Sequence, residues 1–86
     1  MNGISWKLTE QTEHTLTGEI TFPDGSEGKV FLKYFPELAH VQGWEVEVME
    51  SSIIFRGLFA WGTSPDNAML RLNRGIQIEC IRNGLG

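Results

Sequence analysis

One cysteine, three prolines and no apolar run longer than four residues put several classes of protein out of reach. Cys80 stands alone, so no disulfide can close within the chain and the fold must be held by packing. Its place in an apolar alternation reads as a core thiol, not a reactive one, and a reducing compartment suits it. The longest apolar stretch, Leu58-Phe59-Ala60-Trp61, is far short of the ~20 residues that cross a bilayer. The first seven residues lack the basic-then-apolar pattern of a secretory leader. A soluble, cytoplasmic protein with no membrane partner is the expectation.

Chemistry-bearing motifs are equally sparse. His14, His40 and Cys80 have no metal-ligand spacing. No serine has a histidine and acid context that marks a nucleophile. Gly25-Ser26-Glu27-Gly28 lacks the basic residue and following helix of a phosphate loop. Glu45 and Glu47 share the outer face of a predicted strand, where solvated acids are the ordinary finding and an acid/base pair would need a cleft. The expectation is a protein without catalytic activity, metal or cofactor.

What the chain does have is the composition of a small globular domain. Its 86 residues are 41% hydrophobic and 21% charged, which predicts a single domain over residues 1–86. A chain of this size buries only ~60–65% of its unfolded surface. The three Trp and five Phe therefore matter, since each buried ring removes ~150–250 Å² from water.

Apolar residues recur with a period of two along most of the chain, as in half-buried strands. Ile4, Trp6 and Leu8 open the pattern, and Leu16, Ile20 and Phe22 share the next strand's face. Pro23-Asp24-Gly25 has the composition of a hairpin turn. Residues 29–35 place Val30, Leu32 and Tyr34 on one face and Phe31, Lys33 and Phe35 on the other, until Pro36 stops the ladder. Residues 44–49 alternate Trp44, Val46 and Val48 with Glu45, Glu47 and Met49. Residues 53–61 read as the partner strand, with Gly57 at a bulge.

One helix is predicted next. Ser64 can cap it, Pro65 suits its first position and Asp66 complements the dipole. Ala68, Met69 and Leu72 form its apolar stripe, Arg71 and Arg74 fall in its last turns, and Gly75 is placed as its stop. Ile76, Ile78 and Cys80 then read as a closing strand. The expected architecture is α+β in the order β-β-β-β-β-α-β: an antiparallel sheet of five to six strands with one helix on one face.

Charge is distributed unevenly. Residues 1–50 carry net −6 and residues 51–86 net +2, with every Lys in the first part and every Arg (Arg56, Arg71, Arg74, Arg82) in the second. Four arginines on an acidic chain are a small footprint for phosphates, so nucleic acid is a disfavoured partner. A single helix covers one side of a sheet, which leaves Phe31, Phe35 and Trp61 for the open side or an edge. Exposed apolar patches mark partner sites. Phe31, Phe35, Glu45, Glu47 and Glu50 are accordingly the candidate partner-binding residues, for a basic protein or a second copy of the chain.

Two motifs add a resemblance. Phe35-Pro36-Glu37-Leu38 after a strand, then Gly62-Thr63-Ser64-Pro65-Asp66-Asn67-Ala68-Met69 leading into a helix, resemble the HicB-like antitoxin domain over about half of the chain. Residues 42–57 stand as an additional hairpin, and the C-terminal DNA-binding module of many members is not expected here. The resemblance implies a partial RNase H-like fold that dimerises and blocks a small basic partner. The function expected is thus an antitoxin-like or inhibitor-like module masking a toxin or nuclease. A phage- or mobile-element-encoded inhibitor of a nucleic-acid-processing complex and a small structural or assembly protein are the alternatives.

Overall fold

The period-two segments do become strands. The computed structural model describes residues 4–84 and contains β1 (Ser5–Gln11), β2 (Thr15–Thr21), β3 (Glu27–Tyr34), β4 (Trp44–Glu50) and β5 (Phe59–Gly62), followed by α1 (Pro65–Arg82). The strands form one antiparallel meander in the order β1-β2-β3-β4-β5. The expected α+β class, a five-strand antiparallel sheet followed by a helix, is the observed one.

Short turns join the first strands. Between β1 and β2, the Thr12 amide donates to the Thr15 carbonyl at 2.9 Å. Between β2 and β3, the Asp24 carboxylate accepts from the Ser26 hydroxyl at 2.6 Å and the Ser26 amide at 3.0 Å. Those bonds hold its carboxyl below the ordinary value by favouring the ionised form. A single 3₁₀ turn, Pro36–Leu38, lies on the way from β3 to β4.

Residues 51–58 depart from the expected strand. They form successive turns, with Phe55 N donating to Ser52 O at 3.2 Å and Leu58 N to Phe55 O at 3.3 Å. Gly57 has φ +79°, so it makes a turn and not a bulge. The β-branched Ile53-Ile54 pair mimics a strand, but the loop's purpose is to drop Phe55 into the core. Its ring stacks on Phe22 with centroids 4.3 Å apart and planes 7° apart.

The helix begins as its sequence prescribes. Ser64 is the N-cap, and its hydroxyl accepts from the Asn67 amide at 3.0 Å. It does not end at Gly75. The closing strand expected at residues 76–81 is instead the second half of α1, which runs through to Arg82. Ile76 and Cys80 continue the i, i+4 row begun by Ala68 and Leu72, and all four are buried with Met69. Burial of that row outweighs the ~1 kcal/mol that an interior glycine costs. The actual stop is at Asn83, whose amide and side chain both donate to the Glu79 carbonyl, at 3.0 and 2.8 Å.

The helix lies chiefly along β5 and β4. Backbone meets backbone where strand becomes helix: a Cβ on Gly62 would sit 2.7 Å from the Ala68 Cα. The core joins one sheet face (Ile20, Phe22, Val30, Leu32, Val46, Val48) to Phe55 and the inner row of α1. No polar or charged residue is buried among the described residues.

Candidate interaction face of the sheet

Side chains alternate across a strand, so burial of Val30, Leu32, Val46 and Val48 under the helix forces their neighbours to the opposite side. That side has no covering layer among the described residues. Strand register orders it into rows.

Three rows differ in chemistry. In the first, Lys7 stands opposite Glu19, Glu19 opposite Lys29 and Lys29 opposite Glu50. Signs alternate, and the Lys29 Nζ lies 3.9 Å from a Glu50 carboxylate oxygen. In the second, Thr17, Phe31, Glu47 and Phe59 follow one another across β2 to β5. In the third, Thr15, Lys33, Glu45 and Trp61 do the same.

The candidate residues are therefore not equivalent. Glu50 is opposed by Lys29. Glu45 has Lys33 on one side and Trp61 on the other. Glu47 alone has a ring on each side, Phe31 and Phe59, and no cation in its row. Phe35 lies beyond the end of β3, where its ring meets Trp61 at 5.3 Å with planes tilted 42°. The Lys33 Nζ sits 5.1 Å from the Phe35 centroid, a cation–π contact worth ~0.5–1 kcal/mol at an exposed site. The structure thus brings Phe31, Phe35, Glu45 and Glu47 onto one surface and places Glu50 in the charge-paired row beside it.

Phe59 and Met49 were not among the candidates. Phe59 is 65% exposed and Met49, the extra residue where β3 and β4 shift register, is 54% exposed. Phe59 lies in the run 58–61, which is apolar throughout, so alternation assigns it no face. Its face follows only from pairing with Glu47. Trp61 follows likewise from pairing with Glu45.

Other groups do not converge. Cys80 is buried in the core, where burial, reinforced by the Asp24 charge, pushes its thiol above the ordinary value. No cluster of three His, Cys, Asp or Glu among the described residues could hold a metal ion. A cleft of about 230 Å³ at the outer end of β1–β3 is lined by Ser5, Trp6, Lys7, Glu19, Glu27 and their neighbours, in the charge-paired region. No described helix is long and apolar enough to cross a membrane. Comparison with protein-family models, curated proteins and solved structures finds no match to this chain.

Proposed function

We propose that the chain is a small non-catalytic binding module, antitoxin-like or inhibitor-like, whose open sheet face masks a basic surface of a toxin or nuclease. The observation that carries this reading is the row Phe31–Glu47–Phe59. An exposed carboxylate flanked by two rings is a receptor for a guanidinium. The rings offer their faces to the planar cation while the carboxylate accepts its paired N–H groups. Trp61 and Phe35 extend the same surface with rigid aromatic area, the kind of anchor that dominates interface energetics.

Charge distribution supports the same reading. The acids of β4 lie on the open side between β3 and the edge strand β5, where they steer a cationic surface toward the rings. The test uses the chain as bait in a lysate of its host, with wild type compared against Glu47→Lys and Phe59→Ser. A basic protein should be captured by wild type, released by moderate salt, and lost from both variants. A central charged or aromatic anchor is worth ≥2 kcal/mol, about 30-fold in Kd. Equal capture of that protein by all three forms refutes the assignment of the face. Both positions are exposed, so unchanged melting temperatures confirm that binding and not folding was altered.

A further inference from the structure

The sheet's open side is not the only surface with unexplained apolar groups. Helix α1 buries Ala68, Met69, Leu72, Ile76 and Cys80. A helix that merely roofs a sheet shows polar and charged residues on its other side. Here the other side carries Leu70, Ile78 and Ile81, which are 51%, 56% and 67% exposed. At 3.6 residues per turn, Leu70, Arg74, Ile78 and Ile81 form one outward row. Arg71 and Arg82 lie along one margin of it and Asp66 along the other.

The cations are sparsely answered. Arg82 pairs with Glu79 at 3.3 Å, and Arg71 reaches the Gln42 side chain at 3.5 Å. Neither Arg71 nor Arg74 has an acidic partner among the described residues. A chain of net charge −4 thus concentrates positive charge beside three exposed aliphatic side chains. Loop or strand placement could have scattered these arginines, but the uninterrupted helix aligns them.

We propose that this outer face of α1 binds an acidic amphipathic helix of another protein, independently of the sheet face. The geometry selects that partner. From Leu70 to Ile81 the row runs about 16 Å along the axis, the length over which two helices interlock their side-chain ridges. Arginines beside an aliphatic row match a helix with leucines on one stripe and glutamates at its margins, as charged margins match in paired helices. Nucleic acid would use the arginines and leave the aliphatic groups wet, and three arginines make few phosphate contacts. An anionic bilayer takes helices with Trp, Phe or Leu on the apolar face, and this row offers one leucine and no aromatic ring. A second copy would offer an acidic sheet face in which lysines are interleaved, and head-to-tail pairing of unlike faces does not close on itself.

The protein would then join two partners of opposite charge, one on each side of its single helix-on-sheet sandwich. The probe is a fluorescein-labelled synthetic peptide of about 20 residues, long enough to be helical, with leucine at its core heptad positions and glutamate beside them. Anisotropy titrations compare wild type with Arg71→Glu/Arg74→Glu, Leu70→Ser/Ile78→Ser and Glu47→Lys. Phosphatidylserine vesicles, a duplex DNA and sedimentation of the protein alone run in parallel. Saturable binding that weakens with salt is expected. Each double variant should lose about tenfold or more in affinity, and Glu47→Lys should retain it. Absence of saturable peptide binding, equal binding by the double variants, tighter binding to vesicles or DNA, or salt-sensitive self-association removed by the same substitutions would each overturn the proposal. Tighter binding by Glu47→Lys, with both double variants unchanged, would transfer the peptide to the sheet face and overturn it too.

Discussion

Replacing Gly75 with alanine separates two accounts of the C-terminal quarter by the sign of the stability change. If Gly75 closes the helix, its backbone is left-handed and a Cβ there is strained. In the structure Gly75 lies ten residues into an 18-residue helix, is not among the glycines with positive φ, and has no atom within 4 Å of where a Cβ would project. The substitution therefore adds no clash and removes a helix-interior glycine, a gain of ~0.8–1.0 kcal/mol. With unfolding entropy of ~2.1 cal/mol/K per residue, a chain this long has about 0.18 kcal/mol/K, so Gly75→Ala should raise Tm by about 5 °C. A helix cap would predict a fall of similar size. Thermal melts followed at the helical circular-dichroism band, checked by guanidinium titration, read the sign directly. A lower Tm with unchanged cooperativity would refute the continuous helix, and with it the outward row of Leu70, Arg74, Ile78 and Ile81.

Two further outcomes test the core. Phe55→Ala should cost ~3–5 kcal/mol, a large share of the ~4–13 kcal/mol expected for a domain of this size. Guanidinium melts showing a loss below about 1 kcal/mol would mean that loop 51–58 is not seated on Phe22. Cys80 should resist thiol reagents in the native state and react at once in denaturant. Because burial raises its folded pKa above the unfolded one, its stabilising effect is complete below the unfolded value and lost as pH rises through the folded one. The alkaline decline in stability should therefore be shallower in Cys80→Ala, and equal slopes would place the thiol in solvent.

The legible parts of the fold were those where one period dominates. Val46 and Val48 alternate with Glu45 and Glu47, Val30 and Leu32 stand two apart between Lys29 and Lys33, and no helical reading competes. The Ser64-Pro65-Asp66 start is equally unambiguous, because each residue type serves a different need of a helix N-terminus. Residues 76–81 fail that condition. Ile76 and Cys80 satisfy both a period of two and an i, i+4 row, so only Ile78 discriminates: a strand would bury it with them, and the helix exposes it. Gly75 then tips the reading toward a stop, although Asn83-Gly84 after Arg82 offers a second stop signal. In residues 53–55, β-branched side chains imitate a strand because their propensity reports a fit to pleated surfaces, not a commitment to one. For the interaction face, Phe31, Glu45 and Glu47 were accessible from alternation alone. Phe59 was not, since its neighbours are apolar on both sides and its face is fixed by a cross-strand partner twelve residues away.

A solvated sheet face does not need aromatic rings. The β2 strand shows what water alone requires: Thr15, Thr17, Glu19 and Thr21 occupy its open side, and threonine satisfies strand geometry while remaining wettable. Had β3 and β5 only to face solvent, threonine or an alternating Lys/Glu pair would serve at positions 31, 59 and 61, as the row Lys7–Glu19–Lys29–Glu50 does nearby. The rings are instead concentrated where β3, β4 and β5 run together, around the carboxylate that has no cation opposite it. Apolar area left in water favours association, and an unanswered carboxylate among those rings selects against apolar or acidic partners while admitting a cationic one. Two rows of the same sheet, built on the same backbone and a few ångströms apart, thus differ in whether their charges are already matched. That difference, more than the net charge of the chain, singles out the part of the open face suited to another molecule.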